Sequence, residues 1–174
     1  MKSHDATERP IPATHLPTSE SGIHATVYLQ SLAPTSSYST QERIVERLQS
    51  LAEAGHIGEL TITVWGEQIC TDGALSTVPE CSEIIQAIGD FFALAADSSI
   101  EISPFFRVKE ITASLSGEEF KCISMPARCL AFYTDESPFG VYPCKIDDVV
   151  YTPQDALTQL EARLDDEDHQ QARV

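Results

Sequence analysis

Residues 122–144 read CISMPARCLAFYTDESPFGVYPC, and this stretch contains two strand-forming runs on either side of a turn. The runs at residues 129–133 and 139–142 are rich in aromatic and apolar residues, as is typical of strands. The intervening residues 135–138 are Asp, Glu, Ser and Pro, which favour a turn. The stretch therefore predicts a β-hairpin, with the Met125-Pro126 step directly before it.

A β-α-β unit is predicted at the N-terminal side. Apolar and polar residues alternate over 23–30, which indicates a strand with one apolar face. Ser39 and Glu42 predict a capping box, and apolar residues then recur at helical spacing until Gly55. The β-branched run 60–65 predicts a second strand. The two strands should be parallel, with a right-handed crossover.

The rest of the chain continues the alternation of helices and strands. Pro79 predicts the start of a second helix, and residues 100–108 and 120–124 predict an inserted pair of strands. Thr152 and Asp155 predict the N-terminal cap of a last helix after the hairpin. The order is β-α-β-α-(β)-β-β-α, which predicts a single domain of the α/β class.

Three segments are predicted from composition. Residues 1–22 contain prolines among serines and threonines, which indicates a mobile N-terminal tail, and residues 165–174 indicate an acidic C-terminal tail. Residues 23–164 form the predicted domain. The N-terminus lacks the apolar run of a signal peptide, and no stretch approaches the roughly 20 apolar residues that cross a bilayer. We therefore expect a cytoplasmic protein without a membrane partner.

The charge is unusually negative. The chain of 174 residues carries 27 acidic against 11 basic residues, a formal net charge of −16, and contains only four lysines. An acidic surface disfavours binding to nucleic acid or anionic lipid in dilute salt. An ordinary acidic cytosolic protein is one interpretation. A protein that works in molar salt is the favoured one, because strong screening mutes the repulsion among the carboxylates.

The five cysteines give little evidence of redox or metal chemistry. Their number is odd and no CxxC pair occurs, so we expect reduced thiols and no disulfide framework. Cys122, Cys129 and Cys144 lack the close spacing of zinc ligands, so we expect no metal and interpret them as buried packing residues. Cys81 lies in the first turn of the second predicted helix, which makes it the candidate reactive thiol.

No residues in the sequence predict a catalytic site. The chain contains no glycine-rich phosphate loop, paired-acid constellation or nucleophile triad, and we predict neither a catalytic residue nor a cofactor. Trp65, at the end of the second predicted strand, could face a small ligand or a protein partner, or could cap the sheet edge. The sequence therefore predicts binding rather than catalysis.

The element order, with Pro126 before a hairpin and a closing helix, resembles the thioredoxin-like fold; a ferredoxin-like sandwich is the alternative. The resemblance implies that Pro126 faces the start of the first helix, usually after a cis bond. Where that family carries CxxC, this chain reads APTSSY at residues 33–38. The resemblance therefore implies a thiol-dependent protein without the dithiol motif, which binds a small thiol through Ser36 or Ser37.

A second resemblance covers most of the predicted domain. The segments TVYLQSLAP, QERIVERLQSLAEAGHIGELTITVWG and LAFYTDESPFGVYPC are similar to small acidic proteins of halophilic archaea that carry a helix-turn-helix label. The label implies a transcription regulator with DNA as its partner. Residues 42–57 resemble one helix of such a reader, but the periodicity places a strand before them where the motif has a second helix.

Overall fold

The computed structural model of the chain describes residues 9–18, 22–33 and 38–173. This part contains three α-helices and ten strands. The helices are α1 (Tyr38–Glu53), α2 (Pro79–Asp97) and α3 (Pro153–Gln171). The strands are β1 (Ile23–Leu29), β2 (Glu59–Val64), β3 (Gln68–Cys70), β4 (Ile100–Glu101), β5 (Arg107–Thr112), β6 (Glu119–Ser124), β7 (Arg128–Thr134), β8 (Ser137–Tyr142), β9 (Cys144–Ile146) and β10 (Val149–Tyr151). The α/β fold class is confirmed.

The main sheet has the strand order β2-β1-β7-β8. Strand β1 is parallel to β2 and antiparallel to β7, and β7 forms an antiparallel hairpin with β8. The parallel pairing of the first two strands and the hairpin at residues 129–142 are therefore confirmed. Two smaller three-stranded sheets, with the orders β10-β9-β4 and β3-β6-β5, complete the structure.

Helices cover both faces of the main sheet. The ring centroids of Tyr28 on β1 and Phe91 on α2 lie 5.8 Å apart, so the face of the sheet that carries Tyr28 packs against α2. Because side chains alternate along a strand, Ala25 and Val27 point to the other face, where α1 and α3 contact each other. Ala25, Val27 and Tyr28 are all buried. The prediction that β1 has only one apolar face was therefore wrong, since both faces are covered.

An aromatic cluster fills the space between the main sheet and α2. Phe91 is fully buried and contacts Tyr28, Phe106 and Tyr133. The hydroxyl groups of Tyr28 and Tyr133 share a hydrogen bond of 2.8 Å. Burial raises the pKa of both phenols, so they remain protonated at neutral pH. The hydrogen bond satisfies two polar groups that would otherwise be costly to bury.

The segment from residue 9 to residue 18 packs against the domain, although its composition indicated a tail. Ile11 and Leu16 are buried, and the backbone N–H of Ile11 donates to Oε1 of Gln159 on α3 at 2.6 Å. The hydroxyl group of Tyr142 donates to the carbonyl of His15 at 2.7 Å. Gly140 permits this approach, since a Cβ at residue 140 would clash with that carbonyl.

Three helix boundaries can be compared with the helix starts and ends that the sequence predicts. The capping box of α3 is confirmed, because Thr152 and Asp155 bond reciprocally at its N-terminus. The predicted cap at Ser39 was wrong, since α1 already includes Tyr38. Helix α3 continues to Gln171, so the acidic run that begins at Asp165 lies within a helix.

Candidate functional site

The structure brings Trp65 and Pro126 together at the carboxyl ends of the parallel strands β1 and β2. The indole Nε1–H of Trp65 donates to the carbonyl of Pro126 at 3.3 Å. Gln30, which follows β1, donates from Nε2 to the carbonyl of Met125 at 2.9 Å and from its backbone N–H to the carbonyl of Ala127 at 3.0 Å. These bonds fix the loop before β7 against the sheet end.

Trp65 is a core residue of this sheet end. Its side chain is 5% exposed, its ring stacks on Tyr28 with centroids 4.7 Å apart, and it makes a T-shaped contact with Phe106 at a centroid distance of 5.7 Å. The Pro126 carbonyl satisfies the indole N–H. The indole ring therefore packs within the protein, and the half-buried Pro126 is the more accessible member of this pair.

The cis proline lies at a different position from the one that the fold resemblance implied. Among the described residues, the cis bond is Tyr142-Pro143, at the end of the hairpin, and the Met125-Pro126 bond is trans. Pro126 nevertheless lies beside the carboxyl end of β1 through the bonds of Gln30. Ser36 and Ser37, the predicted small-thiol ligands, lie outside the described residues.

An apolar groove of about 270 Å³ lies beside this sheet end, between α1 and the edge strand β2. Leu29, Leu32, Val45 and Ile62 supply its apolar walls. Two of them are open to solvent, with Leu32 59% exposed and Ile62 42% exposed. The rim carries the carboxylates of Glu42 and Glu46, so the groove suits an apolar group without negative charge.

A disulfide joins Cys70 on β3 to Cys122 on β6, which contradicts the expectation that all five cysteines are reduced. The two residues are direct partners in the antiparallel register, with their Cα atoms 3.9 Å apart. Hydrogen bonds from Thr71 N to Lys121 O and from Met125 N to Glu67 O flank the pair, so it occupies a non-hydrogen-bonded position of the ladder, where side chains are closest.

The three free cysteines lie in different environments. Cys129 and Cys144 are fully buried, and burial raises the pKa of both thiols, that of Cys144 to about 12. Both thiols are therefore protonated and poor nucleophiles at neutral pH, and their predicted burial is confirmed. Cys81, the candidate reactive thiol, is half-buried in the first turn of α2.

The hairpin of β5 and β6 carries a cationic face. Every residue of β5 is exposed, and alternation places Arg107, Lys109 and Ile111 on one side. Their partners on that side are Ser124, Cys122 and Phe120, none of which is charged at neutral pH. On the opposite side Glu110 faces Lys121. One face of the hairpin therefore has two positive charges and no carboxylate within the ladder.

Residues 9–18, 22–33 and 38–173 contain neither a metal-binding cluster nor a membrane-spanning helix. In these ranges no group of three or more His, Cys, Asp or Glu side chains is arranged to hold a metal ion. None of the helices in the same ranges is both long enough and apolar enough to span a bilayer.

The described helices do not form a tandem pair. Helices α1 and α2 are separated by β2 and β3, and the seven strands β4–β10 lie between α2 and α3. No curated protein and no solved structure matches the chain. Residues 17–165, most of its length, match a protein family described as a helix-turn-helix domain. The chain belongs to this helix-turn-helix domain family.

Proposed function

We propose that the chain is a non-catalytic regulatory protein of a halophilic archaeon and that it acts on transcription through DNA. The observation that carries this proposal is the family match over residues 17–165. The acidic composition and the four lysines support a halophilic, cytoplasmic setting. In that setting a net charge of −16 is strongly screened and does not by itself prevent contact with DNA.

The surface best suited to DNA is the cationic face of the β5–β6 hairpin. Arg107 and Lys109 project from an exposed strand, and phosphate oxygens are natural partners for both side chains. Helix α1 is less suitable, because Arg47 is held by Glu161 at 2.9 Å and Glu42 and Glu46 lie on the same helix. The hairpin would therefore position the protein on the DNA backbone.

Removing the two charges of this face should weaken DNA binding. For the Arg107→Gln/Lys109→Gln variant we expect lower affinity for duplex fragments of a haloarchaeal genome. We also expect the dependence of log K on log KCl to become shallower by roughly 2, about 0.9 for each lost phosphate contact. Fluorescence anisotropy over a series of KCl concentrations measures both quantities.

The matched control removes the same amount of charge elsewhere. Lys121→Gln/Lys145→Gln changes one residue on the opposite side of the hairpin and one on β9, and should leave the slope within experimental error of the unmodified protein. Equal slopes for both double variants would contradict a role for the Arg107 face. A protein that binds no duplex fragment at any KCl concentration would contradict the DNA proposal itself.

A thiol-dependent, thioredoxin-like protein is the second candidate function. The strand order β2-β1-β7-β8 and the position of Pro126 beside the end of β1 favour it. In this candidate, Ser36 and Ser37 replace the dithiol motif before α1 and hold a small thiol without exchanging electrons with it. The ligand would be a compound of the glutathione class, bound by hydrogen bonds from serine hydroxyl groups.

This candidate predicts saturable binding of reduced glutathione in molar KCl, measured by isothermal titration calorimetry. Ser36→Ala/Ser37→Ala should weaken the binding, since each lost hydrogen bond contributes about 0.5–1.5 kcal/mol. Ser39→Ala, within α1, is the control and should bind as the unmodified protein does. If no heat of binding is detected, the second candidate is rejected.

A further inference from the structure

The two edges of the main sheet differ in how they are covered. At the β8 edge, the N-terminal segment packs along the strand, and Nδ1 of His15 lies in hydrogen-bonding distance, 2.9 Å, of the Phe139 carbonyl. At the other edge, β2 pairs only with β1, and no described strand lies on its outer side. The chain therefore protects one edge of the sheet and leaves the other open within the described part.

Strand β2 lacks the usual protection of an open edge. Its sequence is ELTITV, which contains four consecutive β-branched residues, no proline and no lysine. Its one charge is Glu59, at the start of the strand. The edge strand β5, by comparison, carries Arg107, Lys109 and Glu110 among its six residues. Charged side chains are a common means of preventing edge pairing, so β5 is protected where β2 is not.

The outer edge of β2 presents hydrogen-bonding groups from alternate residues. The N–H of Trp65 donates to the carbonyl of Leu29 at 2.9 Å, in the register that pairs Leu29 with Val64, so the odd-numbered residues of β2 direct their backbone groups toward β1. The N–H and C=O groups of Leu60, Ile62 and Val64 consequently face outward. These three residues supply the ladder that a further strand would need.

We propose that β2 is a dimerisation edge, on which the β2 strand of a second copy of this chain pairs in antiparallel orientation about a two-fold axis at Thr61. This pairing would join two four-stranded sheets into one of eight strands. The proposal concerns assembly and does not rest on the proposed role in transcription.

The two-fold register is self-complementary. With Thr61 facing its own counterpart, Glu59 faces Thr63 of the second copy, so no carboxylate of the strand faces another. Leu60 faces Ile62 of the second copy in a hydrogen-bonded pair, which places two apolar side chains next to each other. A partner strand of a different sequence would have to match this pattern, whereas a second copy does so by symmetry.

The exposed apolar side chains around β2 also favour a second copy of the chain as the partner of this edge. Ile62 is 42% exposed and Val64 is 46% exposed, and Ile62 also lines the groove beneath α1 together with Leu32. Pairing of two β2 strands would place Leu60 and Ile62 of the second copy at the mouth of this groove. The association would bury apolar surface from both copies, which is the dominant favourable term in most protein association.

Charge determines the conditions for dimerisation. Each copy carries a net charge of −16, and Glu42 and Glu46 lie close to the edge on the rim of the groove. Two copies therefore repel each other in dilute salt, and the repulsion is screened in molar KCl. The dimer should accordingly be stronger in molar KCl than in low-salt buffer.

Sedimentation equilibrium in molar KCl tests the proposal with a matched pair of variants. The unmodified protein should sediment as a dimer. Ile62→Lys should raise the dimer dissociation constant at least about tenfold, because a charged side chain then replaces the apolar contact with Leu60 of the second copy. Val108→Lys, on the exposed strand β5, is the control and should remain dimeric.

Amide hydrogen exchange locates the contact independently of the variants. The outward amides of Leu60 and Ile62 should exchange more slowly as protein concentration rises through the dissociation constant, while those of β5 should not change. A monomer in molar KCl at all concentrations would overturn the proposal. A dimer that Ile62→Lys leaves intact, with the variant shown by circular dichroism to be folded, would also overturn it, as would concentration-independent exchange at Leu60.

Discussion

Removal of the Cys70–Cys122 disulfide is expected to lower the free energy of unfolding by about 4 kcal/mol. The bond closes a loop between residues 52 positions apart, and in the chain-entropy description a loop of this length restricts the unfolded state by roughly that amount. It also fixes β3 to the central strand of the β3-β6-β5 sheet. The stability of this sheet should therefore depend on the bond.

The variant for this test is Cys70→Ser/Cys122→Ala. Alanine is chosen at position 122 because that side chain is buried, and a serine hydroxyl group would be left without a partner. Urea unfolding in molar KCl, extrapolated linearly to zero urea, measures the change. Cys81→Ser is the control, and it should change the free energy of unfolding by less than about 0.5 kcal/mol.

Two results would contradict the disulfide prediction. One is a double variant within about 1 kcal/mol of the unmodified protein, which lies outside the range expected for a loop of this length. The other is the recovery of five alkylated cysteines from protein that was denatured and alkylated without a reductant. Peptide mapping without reduction would identify the Cys70–Cys122 pair directly.

The main sheet could be predicted from sequence because its signals are local and strong. The alternation from Ile23 onward and the β-branched run of β2 each specify a strand over several residues. Pro79 and the Thr152 cap specify where two helices begin. The parallel pairing then follows from the handedness of the β-α-β crossover, which leaves few alternatives.

The elements that escaped prediction depend on contacts distant in sequence. Strand β3 has only three residues, and its pairing with β6 places Cys70 opposite Cys122 across 52 positions of sequence. No local spacing signals such a pair. Residues 9–18 have the composition of a tail, yet Ile11 and Leu16 are buried by contacts with elements over 100 residues away. The apolar side chains of Ile11 and Leu16 are the feature of the sequence that could have indicated this packing.

The candidate site was predicted in part. Trp65 and Pro126 were identified separately, from an aromatic residue at a strand end and from a proline before a hairpin. Their hydrogen bond depends on the adjacency of β1 to both β2 and β7. Burial of the indole ring depends on Phe106 and Tyr28, which the periodicity does not connect to Trp65. The cationic hairpin face required the β5–β6 register.

The stability of the protein should also depend strongly on salt. Within the described residues, the side-chain ion pairs are Arg47–Glu161, Lys145–Glu101 and Lys145–Asp148. They involve few of the 27 acidic residues, and α3 carries a run of four carboxylates from Asp165 to Asp168. Most of the negative charge is therefore balanced by solvent cations rather than by basic side chains of the protein. Folding brings the carboxylates closer together than they are in the unfolded chain.

We expect the midpoint of thermal unfolding to rise markedly between low-salt buffer and molar KCl. The Debye length falls from about 30 Å at 0.01 M to about 3 Å at 1 M salt, which removes most of the repulsion between exposed carboxylates. Asp165→Asn/Asp166→Asn/Asp168→Asn removes three exposed negative charges from α3 and should show a smaller rise in KCl. Sucrose, which stabilises by exclusion without ions, should raise the midpoints of both proteins equally. A midpoint insensitive to KCl, or an equal rise in the charge-depleted variant, would show that carboxylate repulsion does not govern the stability of this protein and would remove the support for a halophilic setting.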